Sequence, residues 1–364
     1  MKLTPVKVKG KAGQKKTWRP PGPLRPVKRQ RDEDDGADDS NDRSRRKAFK
    51  SKHPAAPIEE LPTEILERII FMCRNLNFLR SSLRLGYRFS SPSFLVELVR
   101  AAFAPTWDMW YGHTRDEAIH HDYLSHHTAI QGDPEFQGAV LACPWASVSL
   151  ILDAQQRWCR RSGRPGRLAE RVRLPGPPLP PPSALSPADV VPRFEKDWEA
   201  FKTPCRGFFS SADPYPDILL TRAHLEDGKY IELHPLTPVP QRLLTGPFDW
   251  EAARLLFWYV RGGARLPREH TWTWELTRRG YGHIVALDDK PLALAVFLLL
   301  DKLCVFDHWP EFLVGQELDE VARRVESSED LSDRQLGWGI YEVLESQTSS
   351  RRAKETIDKR GPRT

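Results

Sequence analysis

Residues 61–103 read LPTEILERIIFMCRNLNFLRSSLRLGYRFSSPSFLVELVRAAF, and this stretch sets the expectation of a mainly α-helical chain. Pro62 sits where a first helical turn tolerates proline, because the amide it lacks would have had no partner there. Glu64 follows at the positive end of the helix dipole. Ile58, Leu61, Ile65 and Ile69 recur at three- and four-residue steps, and Leu66 and Ile70 widen the stripe. Two further short amphipathic helices complete the stretch. A unit of about 45 residues rarely buries enough apolar area to stand alone. Its apolar face must therefore be completed, either by the rest of this chain or by a partner.

The residues resemble an F-box, the docking module of Skp–cullin–F-box ubiquitin ligases, in the version found in filamentous fungi. The pattern is carried by Leu61 to Glu67 with Ile69, then Leu76-Asn77-Phe78, Ser81-Ser82 and Leu83, then Ser90-Ser91 ahead of Phe94-Leu95. The match covers about an eighth of the chain, and its first helix is the specific part. The tryptophan found late in the second helix of many F-boxes is replaced here by the neighbourhood Tyr87-Arg88-Phe89. The resemblance implies that a Skp-type adaptor docks on Leu61, Pro62, Ile65, Leu66 and Ile69, with Leu95 and Leu98 of the third helix.

Charge is segregated along the chain. Residues 1–53 hold 17 Lys/Arg and 7 Asp/Glu, and residues 349–364 hold 6 and 2. Residues 54–348 hold 32 and 40, so the basic character belongs to the tails. A mildly acidic centre argues against a nucleic-acid binder, which needs a basic face on its fold. With 32 prolines and a mean hydropathy of −0.54, part of the chain is expected to be unfolded. The longest apolar run, Pro291 to Leu300, is too short to span a bilayer, and the lysine-rich start is not a secretory signal. The five cysteines are scattered, none within fifteen residues of another, which excludes a local CxxC knuckle.

The expected organisation is a disordered arm (1–53), the F-box-like module (54–106), a helical region (107–161), a Pro/Gly-rich linker or loop (162–187), a C-terminal helical domain (188–345) and a disordered basic tail (346–364). In the arm, Lys28, Arg29 and Arg31 follow Pro26, and Arg45, Arg46 and Lys47 form a second cluster. Both read as nuclear-import signals for an import receptor, against the plainer reading of a solvated charge run. They favour the nucleus over the cytoplasm. Beyond the module, Ala104-Pro105 predicts a helix break. Helices are expected around 115–130, over 136–158 with a break at Pro144, and over 250–260 with Asp249 as cap and Gly262-Gly263 as stop. Lys229 to Leu233 alternates like a short strand. Pro291 to Leu303 predicts a central buried helix, and 318–325 and 338–344 predict closing helices. The fragment EAARLLFWYVRGGARL (251–266) resembles the second helix and turn of an ankyrin repeat, without the TPLH-like turn or a 33-residue period. It suggests irregular stacked helix pairs.

Little in the sequence points to catalysis. His113, His120 and His127 are seven apart, with His121, His126 and Asp116 nearby, but the spacing is neither HExxH nor a finger. A polar helix face accounts for them, and no metal or cofactor is expected. GxSxG, phosphate-binding glycine loops and kinase signatures are missing. Cys143, before Pro144, would act as a nucleophile only if the fold brought a histidine to it, and a Cys/His hydrolase is not expected. The chain is thus expected to be a non-catalytic adaptor, a substrate receptor holding an unknown protein client near Trp258, Trp272 and Trp274. The alternative is a nuclear structural or interaction protein without a ligase role. Twelve tryptophans supply the aromatic surface such a groove would use, although packing is the commoner fate of such residues.

Overall fold

The computed structural model describes residues 56–111, 131–161, 189–223, 231–264, 266 and 273–360. The arm with Lys28, Arg29, Arg31, Arg45, Arg46 and Lys47 lies outside the described residues. So do the histidines 113–127, the Pro/Gly-rich stretch 162–187 and Trp272. Within the described residues there are helices and no strands.

The first helix, α1, is Thr63–Cys73, followed by α2, Asn77–Arg80, and α3, Leu83–Arg88. Ser82 caps α3, its side chain accepting from the Arg84 amide at 3.1 Å. Ser91 caps α4, Pro92–Trp110, in the same way, accepting from Phe94 at 3.3 Å. Here the expected break fails: Pro105 sits inside α4. An interior proline removes one hydrogen bond and costs about 3 kcal/mol. Continuity brings Phe103, Trp107 and Trp110 onto one buried face, and burying each aromatic returns about 1.5–3 kcal/mol.

Next come α5, Pro134–Leu141, and α6, Val148–Arg161, separated at Pro144 as expected. Asp133 caps α5, accepting from Phe136 at 3.0 Å. After α7, Val190–Gly207, and α8, Ile218–Ala223, the segment 231–240 is irregular. Ile231 to Leu233 is therefore no strand; its backbone is used otherwise. The Glu232 amide donates to Gly262 at 3.1 Å, and the Glu232 carbonyl accepts from Trp107 Nε1 at 2.8 Å.

Then follow α9, Gln241–Thr245; α10, Trp250–Arg261; α11, Thr273–Val285; and α12, Lys290–Lys302. Asp249 caps α10 through the Ala252 amide at 2.7 Å. The helix α12 is the centre: Leu292 to Asp301 are all buried, and it packs against α7, α10, α11 and α14. A helix apolar on every side has no other stable location in water. The closing pair is α13, Glu311–Ser327, against α14, Leu331–Arg360. The sequence marks residues from 346 on as tail, yet Gln347 Nε2 donates to Asp301 Oδ1 at 2.8 Å and ties this turn of α14 to α12.

The described residues belong to one compact unit, Ala55–Thr364. One hydrophobic core runs from Leu66 to Leu344, so the three ordered stretches read separately from the sequence share an interior. Gln137 is a fully used buried connector. Its amide donates to the Ala102 carbonyl and Thr106 hydroxyl, and its oxygen accepts from the His234 amide and the Thr237 hydroxyl. Close approach is equally specific at Gly280 in α11, where a Cβ would run into the carbonyl oxygen of Leu244 in α9. Gly280→Ala is expected to destabilise by about 1–3 kcal/mol, since backbone must move to admit the methyl; urea unfolding of the variant measures it. A loss under about 0.5 kcal/mol would show that the two helices separate freely.

Candidate functional site

The apolar stripe of α1 is wider than the chain covers. At about 100° per residue, Ile65, Ile69, Met72, Leu66 and Ile70 span roughly 160°. One edge, Leu66 and Ile70, is 0% exposed. The other edge faces water: Ile65 is 43% and Met72 84% exposed, with Ile69 half-buried between the two edges. The same division recurs in α3, where Leu85 is buried while Leu83 and Tyr87, one turn apart, are 79% and 72% exposed.

The helix α3 is stitched to the turn that opens α1. Arg88 Nε donates to Thr63 Oγ1 at 2.8 Å, and Arg88 Nη1 donates to the carbonyls of Leu61 at 2.9 Å and Glu59 at 3.3 Å. Arg84 pairs with Glu59 at 3.6 Å. Five of the eleven large exposed apolar side chains among the described residues lie between Ile58 and Tyr87. A scatter of single exposed hydrophobes is ordinary, and here nearly half of them fall within one thirty-residue stretch.

A groove of about 490 Å³ lies between α1 and the start of α4, on a different side of α1 from Ile65 and Met72. Phe71 and Phe94 form its apolar part, with ring centroids 5.7 Å apart, and Glu67, Glu97 and Arg100 its polar part. Burial alone would raise the Glu97 pKa, but the hydrogen bond and charge of Arg100, with Arg161 at 2.8 Å, hold it below the usual carboxylate value. Glu97 is thus an ionised, paired group, with no proton to exchange near neutral pH.

Of the residues expected to bind an adaptor, Ile65 and Pro62 are exposed and Leu61, Ile69 and Leu95 are half-buried. Leu66 and Leu98 are a correction: both are 0% exposed and pack inside this chain's own core. They pack behind the exposed edge. Met72, Leu83 and Tyr87 complete the exposed surface and were absent from the expected set. Their signal was the seven-residue step from Ile65 to Met72 and the four-residue step from Leu83 to Tyr87, both helical repeats.

The expected client residues fare differently. Trp258 is a second correction: it is fully buried in α10, edge-on to Phe103 at 5.8 Å, and offers nothing to a client. Trp274 is half-buried and packed against the core. Beside Trp258 lies a buried ion cluster instead of a groove. Arg261 Nη1 donates to Glu232 Oε1 at 2.8 Å and Arg261 Nε to Asp197 Oδ2 at 2.8 Å. Its guanidinium also lies 5.7 Å from the centre of the Phe194 ring. This cluster joins α7, α10 and the irregular segment 231–240.

Three of the five cysteines are held in the interior. Cys143 is buried, its Sγ accepting from Arg80 at 3.4 Å and donating to the Ala139 carbonyl at 3.3 Å. Burial pushes the Cys159 thiol up to about 11 and Cys205 up to about 12, so neither holds a thiolate near neutral pH. No group of three or more His, Cys, Asp or Glu among the described residues could hold a metal ion. No helix among them is long and apolar enough to cross a membrane. No protein-family model, no curated protein and no solved structure matches the chain.

Proposed function

We propose that this chain is a non-catalytic adaptor, the substrate receptor of a Skp–cullin–F-box ubiquitin ligase, and that it docks the Skp-type subunit through the exposed half of the α1 stripe and the exposed face of α3. The observation that carries the reading is the split stripe itself. A helix that puts Leu66 and Ile70 into its own core, yet leaves Ile65 and Met72 in water, has a second apolar edge awaiting a partner. The resemblance of 61–103 to an F-box supplies the partner's identity. Such a protein contributes proximity, raising the effective concentration of a client's lysines near the loaded ubiquitin enzyme. The basic clusters at Lys28 to Arg31 and Arg45 to Lys47 would bring it to the nucleus.

The experiment is capture of a purified Skp-type adaptor by the full-length chain. Met72→Glu with Leu83→Glu is expected to weaken capture at least about thirtyfold, the loss of one strong hot spot. Its melting temperature is expected to stay within about 2 °C, because both side chains already lie in water. Equal capture by the double variant and the natural chain would overturn the proposed surface.

A further inference from the structure

Trp338, Tyr341, Glu342 and Glu345 recur at three- and four-residue steps on α14 and share one face about 100° wide. The other side of the helix, with Leu336, Ile340, Val343 and Leu344, is buried in the core. The first face stays open in part: Trp338 and Tyr341 are half-buried and Glu345 is exposed. The two rings stack with centroids 5.9 Å apart. Tyr215, in the segment ahead of α8, stands nearly perpendicular to Trp338 at 5.1 Å and is itself 51% exposed. That segment is pinned to α14. Gln335 Nε2 donates to the carbonyls of Ser211 at 2.9 Å and Asp213 at 2.7 Å, and the Glu342 carboxylate accepts from the Ile218 amide. The three rings are therefore held as one aromatic surface.

Its surroundings carry charge of one sign. Asp213 and Asp217 are exposed, and each spends one oxygen on a nearby amide, that of Tyr215 at 2.9 Å and of Leu219 at 2.8 Å. Burial, and then the charges of Asp217 and Glu345, raise the Glu342 pKa, which places these three carboxylates around one spot. None of the four acids has an ion-pair partner among the described residues. The nearby cations are spent elsewhere: Arg334, one turn before Trp338, donates to the Ser328 carbonyl at 2.7 Å, and Arg222 of α8 pairs with Asp301 at 3.0 Å. An open tyrosine ring beside unpaired carboxylates suits a cation that can stack and donate at once. A guanidinium does both, being planar and more weakly hydrated than an ammonium.

We propose that this face binds an arginine-bearing segment of a partner polypeptide, with a guanidinium lying on the exposed Tyr215 ring and the Asp217 and Glu345 carboxylates pairing with the segment's positive charge. Under the receptor reading the segment belongs to the client, and in that respect alone the inference rests on that reading. The test contains no adaptor, so its failure would leave adaptor capture standing.

The test is a ligand-observed NMR titration of the full-length protein with the capped peptide Gly-Arg-Gly-Arg-Gly, with citrulline in place of both arginines as the uncharged control. The arginine peptide is expected to bind with a dissociation constant on the order of 0.1–1 mM, as exposed ion pairs and a surface ring allow. The citrulline peptide is expected not to bind. Tyr215→Leu keeps apolar surface against Trp338 but removes the ring, and should weaken binding about three- to fivefold. Asp217→Asn with Glu345→Gln should weaken it at least about fivefold. Asparagine caps α8 as well as aspartate does, so this pair keeps the fold. Glu326→Gln with Glu329→Gln, two exposed acids elsewhere, removes the same net charge and should leave binding unchanged. Equal weakening by that control pair would reveal general attraction to an acidic protein and overturn the assignment. So would binding that Tyr215→Leu leaves unchanged, equal binding of the citrulline peptide, or no saturation up to about 20 mM.

Discussion

Arg261→Met is expected to destabilise the protein by about 3–5 kcal/mol, a large share of the 5–15 kcal/mol that holds a typical domain folded. The substitution nearly preserves volume, so the loss is electrostatic. Arg261 is 4% exposed and donates to two carboxylates, Glu232 at 1% and Asp197 at 16% side-chain exposure. Removing the cation leaves Glu232 facing a low-dielectric interior without the guanidinium that pairs with it. Glu232 is already under-satisfied, since its Oε2 has no hydrogen bond. Its carbonyl holds Trp107, so a shift of the segment also loosens α4. Urea unfolding at neutral pH, followed by circular dichroism, measures the change. The pair variant Arg261→Met with Glu232→Met should recover most of the loss, because apolar groups of similar volume remove one buried charge along with its partner. A single-variant loss below about 1 kcal/mol would mean that water reaches the cluster and screens it.

How much of this was legible in the sequence depends on whether a feature is local. The central helix α12 was legible, because an apolar run bounded by Asp289-Lys290-Pro291 and Leu303 has a start signal and no polar face. The α10 cap at Asp249 was legible for the same reason. Pro105 misled because its local penalty is fixed while the gain comes from distant partners, Trp158 and Trp258 among them, that a sequence does not place. Residues 231–233 misled because alternation of apolar and polar residues also describes a segment whose Glu232 turns inward to Arg261. The tryptophans misled in one direction. Trp258 looked available beside a Gly-Gly turn, but Gly262 serves packing: a Cβ there would lie 2.5 Å from Leu233 Cδ2. The docking face was half legible. The width of the α1 stripe was readable, but which edge the chain covers was not, because that depends on where α4 and its neighbours lie.

The adjacent residues Leu66 and Ile65 separate support from contact. Leu66→Ala is expected to cost about 2–5 kcal/mol, the range for deleting a fully buried leucine, because its side chain packs in the core and the space collapses only in part. Leu98→Ala, equally buried in α4, should behave alike. Ile65→Ala, whose side chain is already 43% exposed, should cost less than about 1 kcal/mol. Adaptor capture should show the opposite order when measured at a temperature where all three variants remain folded. Ile65→Ala should weaken it by about tenfold, the cost of truncating a contributing contact at an interface. Leu66→Ala and Leu98→Ala should weaken it only as far as they reduce the folded fraction, so capture per folded molecule stays near that of the natural chain. Thermal melts and capture on the same preparations give both quantities. If Leu66→Ala abolished capture while its melt stayed intact, the buried edge would be the contact and the exposed edge incidental. That result would reverse the assignment of the face, and it would require α1 to rotate or peel from the core before it binds.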